Sequence, residues 1–189
     1  MRVRPTALPG VVVVEPVVNR DPRGFFVETY RRDRFRDAGI DLPFVQNNHS
    51  RSVGPILRGL HLQRRQPQGK LVRVLAGEIF DVAVDVRRGS PTFARWIGER
   101  LSAESFHQLY VPPGFVHGFC VLSGAAEVEY KCTDLYAPDD ELTIAWDDPQ
   151  IGVEWPVAEP LLSKKDAAGR KLAEVLDLLP VYPHAAAVD

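Results

Sequence analysis

The chain has little cysteine, no surplus of charge of either sign and no long apolar run. Two cysteines, Cys120 and Cys132, stand among 189 residues. They form no CxxC pair and cannot build a disulfide framework. Both lie in apolar, strand-like surroundings, which suits buried free thiols and argues against a zinc site made of thiolates. The formal net charge is -2, so no basic excess is present to hold nucleic acid by its phosphates. No stretch approaches the roughly 20 apolar residues that span a bilayer. The opening segment, MRVRPTALPGVVVVEP, is broken by Pro9 and Pro16 and has no small-residue cleavage pattern, so it does not read as a signal peptide. A cytoplasmic protein without nucleic-acid or membrane partners is expected. Repeats, low-complexity runs and polar linkers are also missing, and residues 1–189 read as one domain. The hydrophobic share of 45% and the charged share of 25% are those of an ordinary globular protein, long enough to bury a sizeable core.

What is present is a series of short strand-like segments punctuated by Gly and Pro. They cover residues 11–14, 44–48, 57–63, 70–75, 78–86, 93–101, 108–111, 118–122, 126–133 and 142–146. Ala76-Gly77 looks like a hairpin turn between two of them. Strands at this spacing with little helix between them predict a mainly β chain, an antiparallel sandwich or jelly-roll barrel. Helix signals are few. Residues 30–38 form one candidate, ending at Gly39. A C-terminal one spans about 166–180, with Leu172, Val175, Leu176 and Leu179 at helical spacing before Pro180. The tail after Pro183 is expected to be disordered.

Alternation along strands assigns faces. His61 and Gln63 share a face opposite Leu60 and Leu62. Tyr130 points inward with Val128 and Cys132. Asp81, Ala83 and Asp85 lie opposite Phe80, Val82, Val84 and Val86. Asp85 is expected to face solvent, and Asp81 either solvent or a polar partner.

Pro113-Gly114-Phe115-Val116-His117-Gly118-Phe119 and Gly59-Leu60-His61-Leu62-Gln63, followed by Gly69, Lys70 and Gly77, resemble the two halves of a cupin barrel. Metal-holding cupins carry an HxH pair, a downstream Glu and a second-half His. Here Gln63 stands in place of the second His, and no matching Glu follows. Two histidines and a neutral amide make a poor ligand set for a first-row metal, so no metal is expected. His61 and His117 can be hydrogen-bonded core histidines. Their company suggests more: Arg58, Gln63 and Lys70 share one short segment with His61, and an inward Tyr130 adds a phenol. A base, cations and a phenol around one cavity form an acid/base constellation.

An ordered set of blocks carries a more specific resemblance. These are Asp21-Pro22-Arg23-Gly24-Phe25-Phe26-Val27-Glu28, Gln46-Asn47-Asn48-His49-Ser50, Leu57-Arg58-Gly59-Leu60-His61-Leu62-Gln63 and Gln68-Gly69-Lys70. They continue through Gly77-Glu78-Ile79-Phe80-Asp81, Pro113-Gly114-Phe115-Val116-His117-Gly118-Phe119, Glu129-Tyr130-Lys131, Ile151-Gly152-Val153-Glu154-Trp155-Pro156 and Leu162-Ser163-Lys164-Lys165-Asp166. The chain resembles the dTDP-4-dehydrorhamnose 3,5-epimerase family of nucleotide-sugar enzymes. That family inverts two stereocentres flanking a C4 ketone without a cofactor.

The resemblance implies a role for each residue. His61 is the general base, with Asp166 behind it to orient the ring; on its own, Asp166 also reads as a helix N-terminal charge. Lys70 faces the enolate oxygen, unless it is a solvated strand-end lysine. Tyr130 is the acid on the opposite face, unless it is a core aromatic. Arg23, Phe26, Glu28, Gln46, Asn47, Asn48, Arg58, His117, Glu141 and Lys165 match substrate-contacting positions, and Tyr136 is suited to stack on the base or sugar. Asp81 holds His117 in one tautomer. The implied substrate is a dTDP-linked 4-keto-6-deoxy sugar, turned from dTDP-4-dehydro-6-deoxy-D-glucose into dTDP-4-dehydro-L-rhamnose. A homodimer is implied as well, with an N-terminal arm of about 1–45 carrying Arg23 and Glu28 to the neighbouring subunit. One departure stands out: the family usually has Asp at the position of Asn47, and the exchange removes a charge. C3-only epimerases share most of these motifs, so a C3-only epimerase or ketoisomerase-like relative acting on a dTDP-4-keto-6-deoxysugar is the alternative, and a metal-dependent cupin oxygenase or a non-catalytic binding module are the readings from other classes.

Overall fold

A computed structural model describes residues 1–182; the expected disorder after Pro183 lies outside the described residues. The strands are β1 (Arg2–Pro5), β2 (Val12–Glu15), β3 (Val18–Asp21), β4 (Gly24–Val27), β5 (Gln46–Val53), β6 (Leu57–Gln63) and β7 (Lys70–Ala76). They continue as β8 (Glu78–Asp85), β9 (Trp96–Ser102), β10 (Gln108–Val111), β11 (Phe115–Val121), β12 (Ala125–Cys132) and β13 (Glu141–Thr143). Two short α-helices, α1 (Arg32–Asp37) and α2 (Lys164–Ala167), interrupt them.

Two antiparallel sheets form the body. One has the order β1-β2-β10-β7-β12-β5 and the other β13-β6-β11-β8-β9, while β3 and β4 make a separate hairpin. Val13, Val72, Val74, Leu109 and Val128 of the first sheet meet Ile79, Ala83, Leu101, Phe115 and Phe119 of the second in one buried cluster. This is the face-to-face packing that period-2 strands produce when one face of each is apolar. Both sheets are also covered outside. Val82, Val84 and Val116 pack against Leu172, Val175 and Leu179 of the C-terminal segment. Val14, Leu71 and Tyr110 pack under Phe35 of α1. Each fully buried aliphatic side chain contributes about 1.5–3 kcal/mol relative to exposure. Among the described residues, no helix is long and apolar enough to cross a membrane.

The two-layer covering explains three departures from the sequence expectations. First, Ala76-Gly77 is not a hairpin turn: β7 and β8 belong to different sheets. Gly77 is the corner between them, at φ 77°, where a Cβ would sit 2.1 Å from the Ala125 carbonyl oxygen. Glycine tolerates both demands. Second, Asp85 does not face solvent. It is fully buried and accepts hydrogen bonds from Arg87, Ser90 and Thr92, so β8 is buried on both faces. Third, residues 166–180 are not one helix. After α2 the chain makes two 3-10 turns, Leu172–Glu174 and Leu176–Leu178. Arg170 leaves the run to pair with Ile144 in a parallel bridge, and Gly169 beside it lies so close to Ala145 that a Cβ would come within 2.9 Å. The apolar spacing instead serves Leu172, Val175 and Leu179, which cover the second sheet.

β1 and β2 extend the large sheet of their own chain, while the β3–β4 hairpin carries Phe25 and Phe26 exposed.

Candidate active site

The inner face of the large sheet changes character along its length. On β7, Lys70 precedes Val72 and Val74; on β12, Cys132 and Tyr130 precede Val128 in the paired register. On β5, Gln46 and Asn48 stand opposite Cys132 and Tyr130. The apolar ends fill the core, and the polar ends surround a cavity of about 480 Å³, a size suited to a small ligand. From the facing sheet, β6 and β11 bring His61 and His117 side by side in register. Gly59 and Gly118 allow that approach, since a Cβ on Gly59 would come within 2.6 Å of the Gly118 Cα.

Each histidine is backed by a buried carboxylate. His61 Nε2 lies 2.5 Å from Asp166 Oδ1. Asp166 is held in turn by the Ser163 hydroxyl, which donates to Oδ2 at 2.7 Å and accepts the Asp166 N–H at 3.1 Å. Ser163 is therefore the N-cap of α2, and Asp166 is both a first-turn charge and the partner of His61. With Nε2–H donated to the carboxylate, Nδ1 becomes the basic nitrogen of the ring. Its nearest carboxylate oxygen is Glu141 Oε1 at 3.7 Å, beyond hydrogen-bond range. His117 Nε2 lies 2.7 Å from Asp81 Oδ1, and Asp81 is fully buried.

Burial sets the protonation of the site. It pulls the His61 pKa below its ordinary 6.5, against the opposing pull of Asp166. For Asp166, burial works upward, but the bonds from His61 and Ser163 hold it below 3.8. Burial also lowers Lys70 and raises the Tyr130 phenol. At neutral pH the cavity thus offers an unprotonated imidazole and an un-ionised phenol, a base and an acid ready for use.

At the mouth, Glu141 Oε2 accepts from Tyr136 Oη at 2.9 Å and from Lys165 Nζ at 2.8 Å. Arg58 Nε donates to Ser52 Oγ at 3.0 Å. Gln46, Asn48, Arg58, His61, Lys70, His117, Tyr130, Tyr136, Glu141, Lys165 and Asp166 all line this one cavity.

Four expected residues are elsewhere. Asn47, between Gln46 and Asn48, points to the opposite side of the sheet because side chains alternate along a strand. There its Nδ2 donates to Glu129 Oε2 at 3.2 Å, while Arg73 holds the other oxygen at 2.8 Å. An Asp at this place would confront a carboxylate, so the exchange of Asp for Asn is local to that surface rather than to the cavity. Arg23, Phe26 and Glu28 lie on or beside the β3–β4 hairpin, away from the cavity of their own chain. Arg23 pairs with Asp21 and Glu28 with Arg34.

Gln63, which shares the His61 face, lines the cavity as well; Ser50, Ser163, Gln68 and Phe119 also line it and were not expected there as site residues. Alternation from Gln46 and Asn48 points to Ser50, and Ser163 stands three residues before Asp166, the spacing of an N-cap. Among the described residues, no group of three or more His, Cys, Asp or Glu is placed to hold a metal ion.

The family model described as dTDP-4-dehydrorhamnose 3,5-epimerase matches residues 5–174. The chain belongs to that family. Within the dTDP-4-dehydrorhamnose 3,5-epimerase family, a relative of that name from Pseudomonas aeruginosa is 54% identical, over 92% of this chain and 97% of its own length. Another from Neisseria gonorrhoeae is 56% identical over 89% of this chain, which spans about half (52%) of that relative's length. The fold agrees with a solved dTDP-6-deoxy-D-glucose-3,5-epimerase from Legionella pneumophila in complex with dTDP-4-keto-L-rhamnose. The identity there is 48%, the TM-score 0.94, and the match covers 97% of this chain and 99% of that one. The architecture is accordingly the cupin-type antiparallel barrel of these epimerases.

Proposed function

We propose that the chain epimerises C3 and C5 of dTDP-4-dehydro-6-deoxy-D-glucose, giving dTDP-4-dehydro-L-rhamnose through enolate intermediates. The observation that carries the reading is one cavity lined by the His61–Asp166 pair, Lys70 and Tyr130. A C–H beside a ketone is only weakly acidic, so its removal needs a base and a stabilised enolate oxygen. His61 Nδ1 takes the C3 proton, and Asp166 orients the ring and balances the imidazolium. The electron pair moves onto the C4 oxygen beside Lys70, whose ammonium, disfavoured by burial, is favoured again by that developing negative charge. Tyr130 then delivers a proton to the opposite face of the carbon. His61 returns its proton to solvent, the phenol is reprotonated, and the same cycle serves C5 on the other side of the carbonyl.

Arg58 and the exposed Arg23 are suited to the diphosphate, since a guanidinium forks onto phosphate oxygens. Arg23 cannot serve its own cavity, so we assign it, with Phe26 and Glu28, to the cavity of a second copy in a homodimer. That arrangement makes the N-terminal region of a single cupin-like domain part of the partner's site. The two buried thiols suit a reducing cytoplasm.

The test is incubation with the keto sugar in deuterated water. Deuterium entering at both C3 and C5 is expected. Entry at C3 alone would make the protein a 3-epimerase, and tight binding without exchange would refute catalysis altogether.

A further inference from the structure

The loop 134–137 carries Tyr136 to the cavity mouth, and it belongs to no strand. Its backbone groups are taken up by glutamine side chains. Gln68 Nε2 donates to the Asp134 carbonyl at 2.9 Å. Gln63 Nε2 donates to the Leu135 carbonyl at 3.0 Å, and Gln63 Oε1 accepts the Ala137 N–H at 2.8 Å. Gln46 Oε1 accepts the Tyr136 N–H at 2.8 Å. The second amide proton of Gln63 goes to the Gln66 carbonyl at 2.8 Å, which ties the 64–68 loop into the same knot. From the far side, buried Asp140 accepts the Arg65 and Gln66 N–H groups at 2.7 and 2.8 Å.

Gln63 is buried at the strand position where metal-holding barrels put a histidine. Three of its bonds go to loop backbone. Only a neutral amide can act here as double donor and acceptor at once: a carboxylate would face two carbonyl oxygens, and an aliphatic chain would leave them unsatisfied. The Tyr136 side chain, half exposed, is therefore aimed by the clamp on its backbone together with the bond its hydroxyl donates to Glu141.

We propose that Gln63, assisted by Gln68, is a positioning residue that holds the Tyr136 loop preformed, so that substrate does not have to order it on binding. This rests on the nucleotide-sugar reading. A preformed loop affects binding in the ground state and transition state alike, so its loss raises KM and leaves kcat in place. If release of the clamp lowers the competent population of the loop to about a tenth, KM rises about tenfold.

The experiment uses Gln63→Met, close in shape without the bonds, and Gln68→Ala, which removes a single bond. KM and kcat are measured with dTDP-4-dehydro-6-deoxy-D-glucose, and hydrogen exchange is followed at the amides of Tyr136 and Ala137. Gln63→Met is expected to raise KM about tenfold, keep kcat within about twofold, and speed exchange at the Ala137 amide by at least about tenfold. Gln68→Ala should shift KM in the same direction by less, and it serves if Gln63→Met does not fold. Adding Gln63→Met to Tyr136→Ala should raise KM no further than Tyr136→Ala alone. Unchanged KM with unchanged amide exchange, a fall in kcat at constant KM, or additive losses in the double variant would each overturn the assignment. Failure of the wild-type protein to turn over the keto sugar would instead overturn the proposed reaction, while amide exchange would still report on the clamp.

Discussion

Asp166→Asn removes one charge and almost no volume, yet the geometry makes it severe. Ser163 Oγ donates to Asp166 Oδ2 at 2.7 Å, so the carbonyl oxygen of an Asn is held at that position. Its NH2 group then faces His61 Nε2, in the place of the oxygen now 2.5 Å away. Nε2 must become the acceptor, and the ring proton moves to Nδ1, the nitrogen assigned as base. The same exchange behind a catalytic histidine elsewhere costs about 10⁴ in kcat through this wrong tautomer. A loss of about 10³–10⁴ is expected here, with dTDP affinity retained. The assay is the initial rate of deuterium entry at C3, paired with calorimetric titration of dTDP.

The pH profile adds a sign. Burial already holds the His61 pKa below 6.5, so the wild-type kcat/KM should be level near neutrality and decline on the acid side below that value. Asp166 works upward on the imidazolium. Its replacement should move the acid limb of the residual activity to lower pH. A variant that keeps more than a tenth of the wild-type rate, or whose acid limb moves upward, would refute the assignment of Asp166 and with it the choice of Nδ1 as base.

Tyr130→Phe should lower net epimerisation about 10²-fold or more, the usual worth of a positioned acid, while deuterium wash-in from the His61 side is impaired less; equal losses in both would remove Tyr130 from the acid role. Asp85→Ala leaves the Arg87 guanidinium without its carboxylate inside the second sheet; a cost of about 3 kcal/mol is expected, seen as a Tm lower by roughly 6–12 °C. Gly77→Ala combines positive φ with a Cβ 2.1 Å from a carbonyl oxygen, and a cost of at least about 2 kcal/mol should appear as a lower denaturant midpoint. Stability should also decline on acidification. His61, whose folded pKa is lowered, loses stabilisation as pH falls below 6.5, and Asp166, also lowered, loses its share as pH falls below 3.8; a pH series of thermal melts reads both.

Strand periodicity, a two-residue rule, was enough to read β6 and β10 to their ends and to turn His61, Gln63 and Tyr130 toward one interior. The motif order was enough for the family. Local pattern failed where the deciding contact is remote. Asp85 looks like an exposed acid until Arg87, Ser90 and Thr92 close over it. Ala76-Gly77 looks like a hairpin because a turn between two strands does not state which sheet each strand joins. Leu172, Val175 and Leu179 have helical spacing, but the pairing of Arg170 with Ile144 takes the backbone out of the helix and leaves their side chains to cover a sheet. Motif order groups Asn47 with its neighbours, although alternation alone sends it to the other face. The meeting of His61 with Asp166, 105 positions apart, was implied by resemblance and could be located only in three dimensions. Hydrogen bonds and close packing act over a few ångströms of space, whereas sequence patterns record only what the backbone repeats along its own length.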